Sequence, residues 1–178
     1  MFSPLKRIAA IHDLSGYGKV SLTAIIPILS AMGFQVCPLP TAVLSSNTEI
    51  AGFKLVDLTD HMRDFIEHWK SLNLEFNAIY SGFLGSHRQI EIVEDFIEHF
   101  WRPEQLVIVD PVLGDDGRLY ESMTPDMVSQ MKRLIARADI ITPNLTEACA
   151  LLDLEYNEKM GETALKKLLK SLSSVGPK

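Results

Sequence analysis

The chain is short of cysteine, of long apolar runs and of positive charge, and each shortage removes a class of protein. Only Cys37 and Cys149 occur in 178 residues. They are not spaced as a metal site, and two free thiols suit a reducing cytosol, so a cytoplasmic location is expected. The longest apolar stretch, around Thr23–Phe34, contains Pro27 and is too short to span a bilayer. The opening Met-Phe-Ser-Pro-Leu-Lys-Arg lacks the pattern of a signal peptide. A net charge of −6 argues against broad binding of nucleic acid or of an anionic membrane. It leaves a nucleotide open, because backbone dipoles and a metal can hold phosphates on an acidic protein. No repeat, low-complexity segment or linker is visible, and the length suits one domain or a fragment of one.

Two phosphate-binding motifs are also missing. Gly18-Lys19 is followed by Val20, and Asp13 stands where a P-loop needs its first glycine. Ser21 occupies the third glycine position of a dinucleotide fingerprint.

What is present is an alternation of short apolar runs and helical stripes. The runs Ile8–Ile11, Phe34–Leu39, Ala78–Tyr80, Leu106–Val109 and Asp139–Ile141 read as strands. Pro38 and Pro40 suggest an edge or an early exit for the second, with Thr41–Ser46 as a further extended piece. Helices are expected from Val20 to Met32, stopped by Gly33, and from Asp57 to Leu72, with Leu58, Met62, Phe65, Ile66, Trp69 and Leu72 on one stripe. Others follow. One buries Val93, Phe96, Ile97, Phe100 and Trp101, and one begins near Pro125 with Met127 and Met131 in its core. One carries Ala148, Leu151 and Leu152, and one runs from Gly161 with Leu165, Leu168, Leu169 and Leu172. His61, His68, His87 and His99 read as helix-surface residues. This is an α/β class with a mainly parallel sheet.

The centre of the chain is Leu106–Gly117. Four apolar residues read as a strand buried on both faces, ended by Asp110 and Pro111. Gly114 and Gly117 then flank Asp115 and Asp116 in a turn. Ligands bind beyond the carboxyl ends of parallel strands, where such acids could hold a phosphate-bearing cation. A strand end plus a polar turn explains the same residues without a ligand. The other strand exits carry Asp13, Thr48, Phe83, and Asn144 with Glu147. The last two are also spaced as a helix capping box, which would account for both.

Taken together, Ser81-Gly82-Phe83-Leu84-Gly85, Asp110-Pro-Val-Leu-Gly-Asp115 and Thr142-Pro-Asn-Leu-Thr-Glu147, in this order, resemble the pyridoxal kinase group of the ribokinase-like superfamily. The resemblance covers nearly the whole chain from Ile8. It implies a three-layer α/β/α fold in a single domain, 1–178, incomplete at its C-terminus. It implies an ATP-dependent kinase acting on the hydroxymethyl group of a B6 vitamer, with Mg2+, and it allows a monovalent cation. Asp13, Ser15, Thr48 and Phe83 would meet the substrate, and Asp110, Asp115, Thr142, Asn144 and Glu147 would organise the ATP phosphates. Asp110 and Glu147 would serve Mg2+ through water. A homodimer is implied as well, with no nucleic-acid or membrane partner.

Two features depart from that group. The loop Asp13-Leu-Ser-Gly-Tyr-Gly is more similar to the Asp-x-Ser-Gly loop of hydroxymethylpyrimidine kinases. No Gly-x-Gly-Asp occurs, although the family's catalytic base lies in such a segment. The base is therefore expected C-terminal to Lys178, and the chain alone is not expected to turn over. A sugar kinase of the same superfamily and a non-catalytic binding module for a vitamer or nucleotide are the alternatives.

Overall fold

The computed structural model describes residues 5–48 and 50–177. The opening Met-Phe-Ser-Pro and Lys178, after which the base is expected, lie outside the described residues. The chain divides into two compact units, Met1–Leu106 and Val107–Lys178.

In the first unit, β1 (Arg7–Ser15) lies between β2 (Gln35–Leu44) and β4 (Ala78–Ser81) and is parallel to both. Its near-continuous run of apolar residues fits that central place, since a strand covered on both faces has no solvent side to keep polar. The strand does not stop at Ile11. It runs on through His12, Asp13 and Leu14, with an irregularity in the β2 register between His12 and Leu14. The strand end expected at Ile11 therefore lies four residues further on, and His12 and Asp13 are buried within the strand.

Helix α1 (Leu22–Ala31) starts later than the predicted Val20, because Lys19 and Ser21 both adopt φ of 51° and keep the chain out of the helix. Gly33, at φ 86°, ends it as expected.

Strand β2 absorbs both predicted extended pieces and passes straight through Pro38 and Pro40. The Gln35 N–H donates to Lys6 on the β1 side. Strand alternation then turns positions 38 and 40 away from β1, where a missing N–H costs no ladder bond. The antiparallel β3 (Leu55–Asp57), absent from the sequence reading, pairs only with Ala42–Leu44, beyond the prolines.

Helix α2 (Thr59–Ser71) buries Met62 and Ile66 but leaves Phe65 and Leu72 exposed, so the predicted stripe was too wide. Helix α3 (His87–Phe100) buries Val93, Phe96, Ile97 and Phe100, whereas Trp101 is exposed. Trp69, Phe76, Phe96 and Phe100 form a ring cluster, with Phe96 and Phe100 at 4.5 Å.

The second unit holds all of β5 (Leu106–Val109) except Leu106, and there Ile108 and Val109 pair in parallel with β8 (Ile140–Ile141). Val107 and Val109, on one face, are buried, while Leu106 is exposed and Ile108 only half-buried on the other, so the expected burial on both faces is not met. A hairpin of β6 (Gly114–Asp115) and β7 (Arg118–Leu119) follows. Its two central residues, Asp116 and Gly117, have φ of 47° and 75°, the left-handed pair that a two-residue hairpin turn requires.

Thr124 caps α4 (Pro125–Ile135), whose Met127 and Met131 are core residues. Helix α5 (Leu145–Leu151) and helix α6 (Glu162–Ser173) complete the unit. In α6 only Leu168 and Leu172 are buried, and Leu165 and Leu169 are exposed.

Candidate functional site

Parallel strands release their loops at one margin, so the topology of each unit gathers one set of candidates. In the first unit the exits of β1, β2 and β4 are tied to one another. Gly16 N–H donates to Leu44 C=O at 2.8 Å, Asn47 N–H to Tyr17 C=O at 2.9 Å, and Gly82 N–H to Ile11 C=O at 3.0 Å.

Asp13 and Ser15 are both buried at the end of β1, and the Ser15 hydroxyl donates to Asp13 Oδ2 at 3.0 Å. A carboxylate removed from water needs such donors. Thr48 is exposed on the loop after β2, and Phe83 is half-buried on the loop after β4. Asn47 packs its side-chain amide against Gly18, where an added Cβ would sit about 3.0 Å from it, and its Oδ1 is buried with no hydrogen-bond partner among the described residues.

Beneath this margin lies His12, only 3% exposed. Its ring meets the Tyr80 ring edge-on at 4.4 Å. A Cβ at Gly82 would fall 2.1 Å from His12 Nδ1, so glycine is what lets the β4 exit cross the imidazole. Burial holds the imidazole far below its ordinary value, at about 3, against the pull of a hydrogen bond to the Tyr80 main chain. His12 Nε2 has no hydrogen-bond partner among the described residues.

In the second unit the exits of β5 and β8 carry the acids. The Thr142 hydroxyl donates to Asp110 Oδ1 at 2.9 Å. Asn144 caps α5, and its Oδ1 accepts from Glu147 N–H at 2.9 Å. Glu147 Oε2 accepts in return from Asn144 N–H at 2.8 Å, so the capping box allowed by the spacing is formed. Both side chains reach further. Glu147 Oε1 accepts from Leu113 N–H at 3.1 Å, and Asn144 Nδ2 donates to Gly114 C=O at 2.8 Å. The two residues therefore clamp the segment between β5 and β6 onto the start of α5.

Burial pushes the Glu147 carboxyl above its usual range, against hydrogen bonds from the Asn144 and Leu113 main chain, and the Asp110 charge pushes it further. Asp110 is raised too, chiefly by burial, with the Thr142 hydroxyl opposing. Two carboxyls that resist ionisation and feel each other form a place where a cation is favoured. Asp115 differs from them. It is exposed, and its Oδ1 accepts from its own neighbour's N–H, that of Asp116, at 2.9 Å.

Among the described residues no three His, Cys, Asp or Glu side chains gather as a metal cage. Mg2+ needs none, since one or two carboxylates with waters and phosphate oxygens suffice. The donor set of Asp110 and Glu147 fits that ion. An apolar groove of about 440 Å3 lies beside these residues in the same unit, between β8, α5 and α6, with Thr142 and Asn144 in its wall.

Sequence reasoning missed His12, Thr41 and Gln89 as parts of the first margin. Gln89 carried one sequence signal, since it stands three residues after the cap Ser86, the spacing of a capping box.

Comparison with known proteins fits this geometry. A Bacteroides thetaiotaomicron protein assigned to the phosphomethylpyrimidine kinases and crystallised with pyridoxal is 57% identical. It superposes with a TM-score of 0.94 over 97% of this chain and 60% of its own. A pyridoxal kinase of Actinobacillus pleuropneumoniae is 30% identical over 97% of this chain and 65% of its own length. A chloroplastic thiamine biosynthetic bifunctional enzyme of Arabidopsis thaliana is 32% identical over 92% of this chain and 30% of its own. The chain thus spans less than two thirds of each of these relatives. The solved relatives share the expected ribokinase-like α/β fold with its mainly parallel strands. Residues 22–178 match the phosphomethylpyrimidine kinase family model, and to that family of kinases, which resembles the pyridoxal kinases in fold, this chain belongs.

Proposed function

We propose that this chain carries the vitamer-binding and phosphate-organising part of an ATP-dependent kinase that phosphorylates the hydroxymethyl group of a B6 vitamer. One observation carries the reading: the junctions after β5 and β8 bring together two hydrogen-bonded pairs, Thr142 with Asp110 and Asn144 with Glu147, whose two carboxyls are held above their usual range and are coupled by charge. The pyridoxal in the crystals of the Bacteroides relative supports the substrate class.

In this reading the half-buried Phe83 ring packs on the flat heteroaromatic ring, Thr48 offers a hydroxyl, and Asp13 with Ser15 faces the ring substituents. Asp110 and Glu147 would hold Mg2+ through water, with Glu147 keeping its two backbone bonds. Mg2+, when bound with ATP, spreads the phosphate charge and so lowers the cost of in-line transfer. Thr142 fixes one oxygen of Asp110, and Asn144 with Glu147 fixes the backbone from Leu113 to Gly114, so this side is pre-organised. Asp115 lies on the adjacent hairpin, where an exposed carboxylate can reach phosphate-bound water. Proton removal from the substrate hydroxyl is assigned to a Gly-x-Gly-Asp segment that this sequence does not contain. The kinase works in the cytoplasm.

A homodimer also belongs to this proposal. Helix α1 carries no charge from Leu22 to Ala31, and Ile28 and the adjoining Met32 are largely exposed. An uncharged helix face of this kind suits a second copy.

A hydroxymethylpyrimidine substrate is the second reading. It is favoured by the Asp13-Leu-Ser-Gly loop and by the likeness to the thiamine biosynthetic enzyme. Calorimetric titration of this chain with pyridoxal, pyridoxine, pyridoxamine, hydroxymethylpyrimidine and ribose, with and without MgADP, separates the readings. Binding of a B6 vitamer in preference to the pyrimidine is expected. Preference for the pyrimidine selects the second reading, and ribose alone selects a sugar kinase. Phosphorylation of pyridoxal by this chain alone would overturn the assignment of the base.

A further inference from the structure

Between β4 and α3 the chain makes five residues of loop, 82–86, carrying Phe83. Loop backbone outside a strand ladder must find its hydrogen bonds elsewhere, and here two buried side chains supply them. The Thr41 hydroxyl donates to Phe83 C=O at 3.0 Å. Gln89 Oε1 accepts from Gly85 N–H at 2.7 Å. Gln89 Nε2 donates to Thr41 C=O and to Thr59 Oγ1, both at 2.9 Å. Thr41 and Gln89 are 0% exposed and Thr59 is buried.

We infer that Thr41 and Gln89 are positioning residues for the ring-binding loop, setting Phe83 through its main chain and locking it to β2. The inference rests on the proposed role of Phe83 against a heteroaromatic ring. A helix cap alone would need Gln89 only near Ser86. The side chain instead spans from the loop to Thr41 in β2 and Thr59 at the start of α2, with both ends of its amide satisfied. A fully satisfied buried network rigidifies and specifies one arrangement. Its placement matters because β2 leads, three residues after Thr41, into the loop bearing Thr48. The two loops proposed to touch the ring are thereby referred to one buried point.

The test compares Thr41→Val, which keeps the shape and removes the donor, with Thr41→Ser, which keeps the donor. Each is titrated with pyridoxal and, separately, with MgADP, after circular dichroism has shown a native spectrum. Thr41→Val is expected to weaken pyridoxal binding about tenfold, the effect of one lost buried hydrogen bond. MgADP affinity should be unchanged, and Thr41→Ser should restore pyridoxal binding. A purely structural role would lower the melting temperature without separating the two ligands. Gln89→Glu, which keeps the bond from Gly85 and loses those donated to Thr41 and Thr59, provides the same comparison if Thr41→Val does not fold. Folded variants that bind pyridoxal within twofold of the wild type overturn the inference and leave the vitamer reading standing. A wild-type chain that binds none of the three vitamers overturns that reading and the inference with it.

Discussion

Asn144 and Glu147 exchange two backbone-to-side-chain hydrogen bonds, at 2.9 and 2.8 Å, and each still has an oxygen or nitrogen left to hold the segment that follows Asp110. This pair is a helix cap and a loop clamp at once. Glu147→Ala removes the acceptor of the Leu113 N–H and half of the cap. A loss of about 2–4 kcal/mol in stability is expected from an unsatisfied buried N–H plus a weakened cap. Urea unfolding measures it, and a loss below about 0.5 kcal/mol, the level of an ordinary surface change, would count against the clamp.

Asp110 should behave in the opposite way. Its ionised form is disfavoured by burial and also burdens Glu147. Asp110→Asn keeps an oxygen for the Thr142 hydroxyl and removes the charge. Its melting temperature should match or exceed that of the wild type, while MgADP binding measured by calorimetry falls at least tenfold. A variant that melts lower yet binds MgADP normally would mark Asp110 as structural.

The pH dependence separates two kinds of group. His12 titrates at about 3 in the fold and near 6.5 when unfolded, so its contribution is complete above pH 6.5 and is lost as pH falls toward 3. The slope is about 1.4 kcal/mol per pH unit for one proton. Asp110 and Glu147, raised in the fold, act in the other direction: their stabilisation is present below the ordinary carboxylate range and is lost as pH rises through their folded values. Denaturant curves of the wild type and His12→Gln between pH 4 and pH 6 isolate the first effect. The wild type should lose stability relative to the variant as pH drops, and parallel curves would remove His12 from the account.

Gly82→Ala places a methyl against the His12 ring. Overpacking of about 1–3 kcal/mol is expected, together with weaker pyridoxal binding because the Phe83 loop must shift. Combining it with His12→Ala should recover part of the stability, which a double-mutant cycle reads directly.

The proposed dimer buries α1. Ile28→Asp with Met32→Lys should convert a dimer to a monomer in light scattering without loss of helical signal. A wild type that is monomeric at every concentration would remove the dimer from the proposal.

Much of this was legible in the sequence, for physical reasons that differ by residue. Leu106–Val109 and the Asn144 cap were readable because apolar continuity and cap spacing are local properties. β3 was not, since three residues paired to Ala42–Leu44 have no pattern of their own. The polar dipeptide His12-Asp13 ordinarily ends a strand, which is why the run reads as stopping at Ile11, yet here the strand continues and buries both. The bond between Gln89 and Thr41 joins positions 48 apart in sequence and left no periodicity to detect. Exposed Leu165 and Leu169 show the converse, a perfect stripe that the described residues cover only in part.

Pro38 and Pro40 have a further consequence. They remove two donors from the outer margin of β2, on the stretch that β3 does not reach. A neighbouring molecule seeking to extend the sheet there would meet carbonyls and ring carbons in place of alternating partners, so growth into fibrils from this margin is discouraged. The same two residues that look like a strand's premature end thus let it run its full length with the stretch before Ala42 safely unpaired on its outer side.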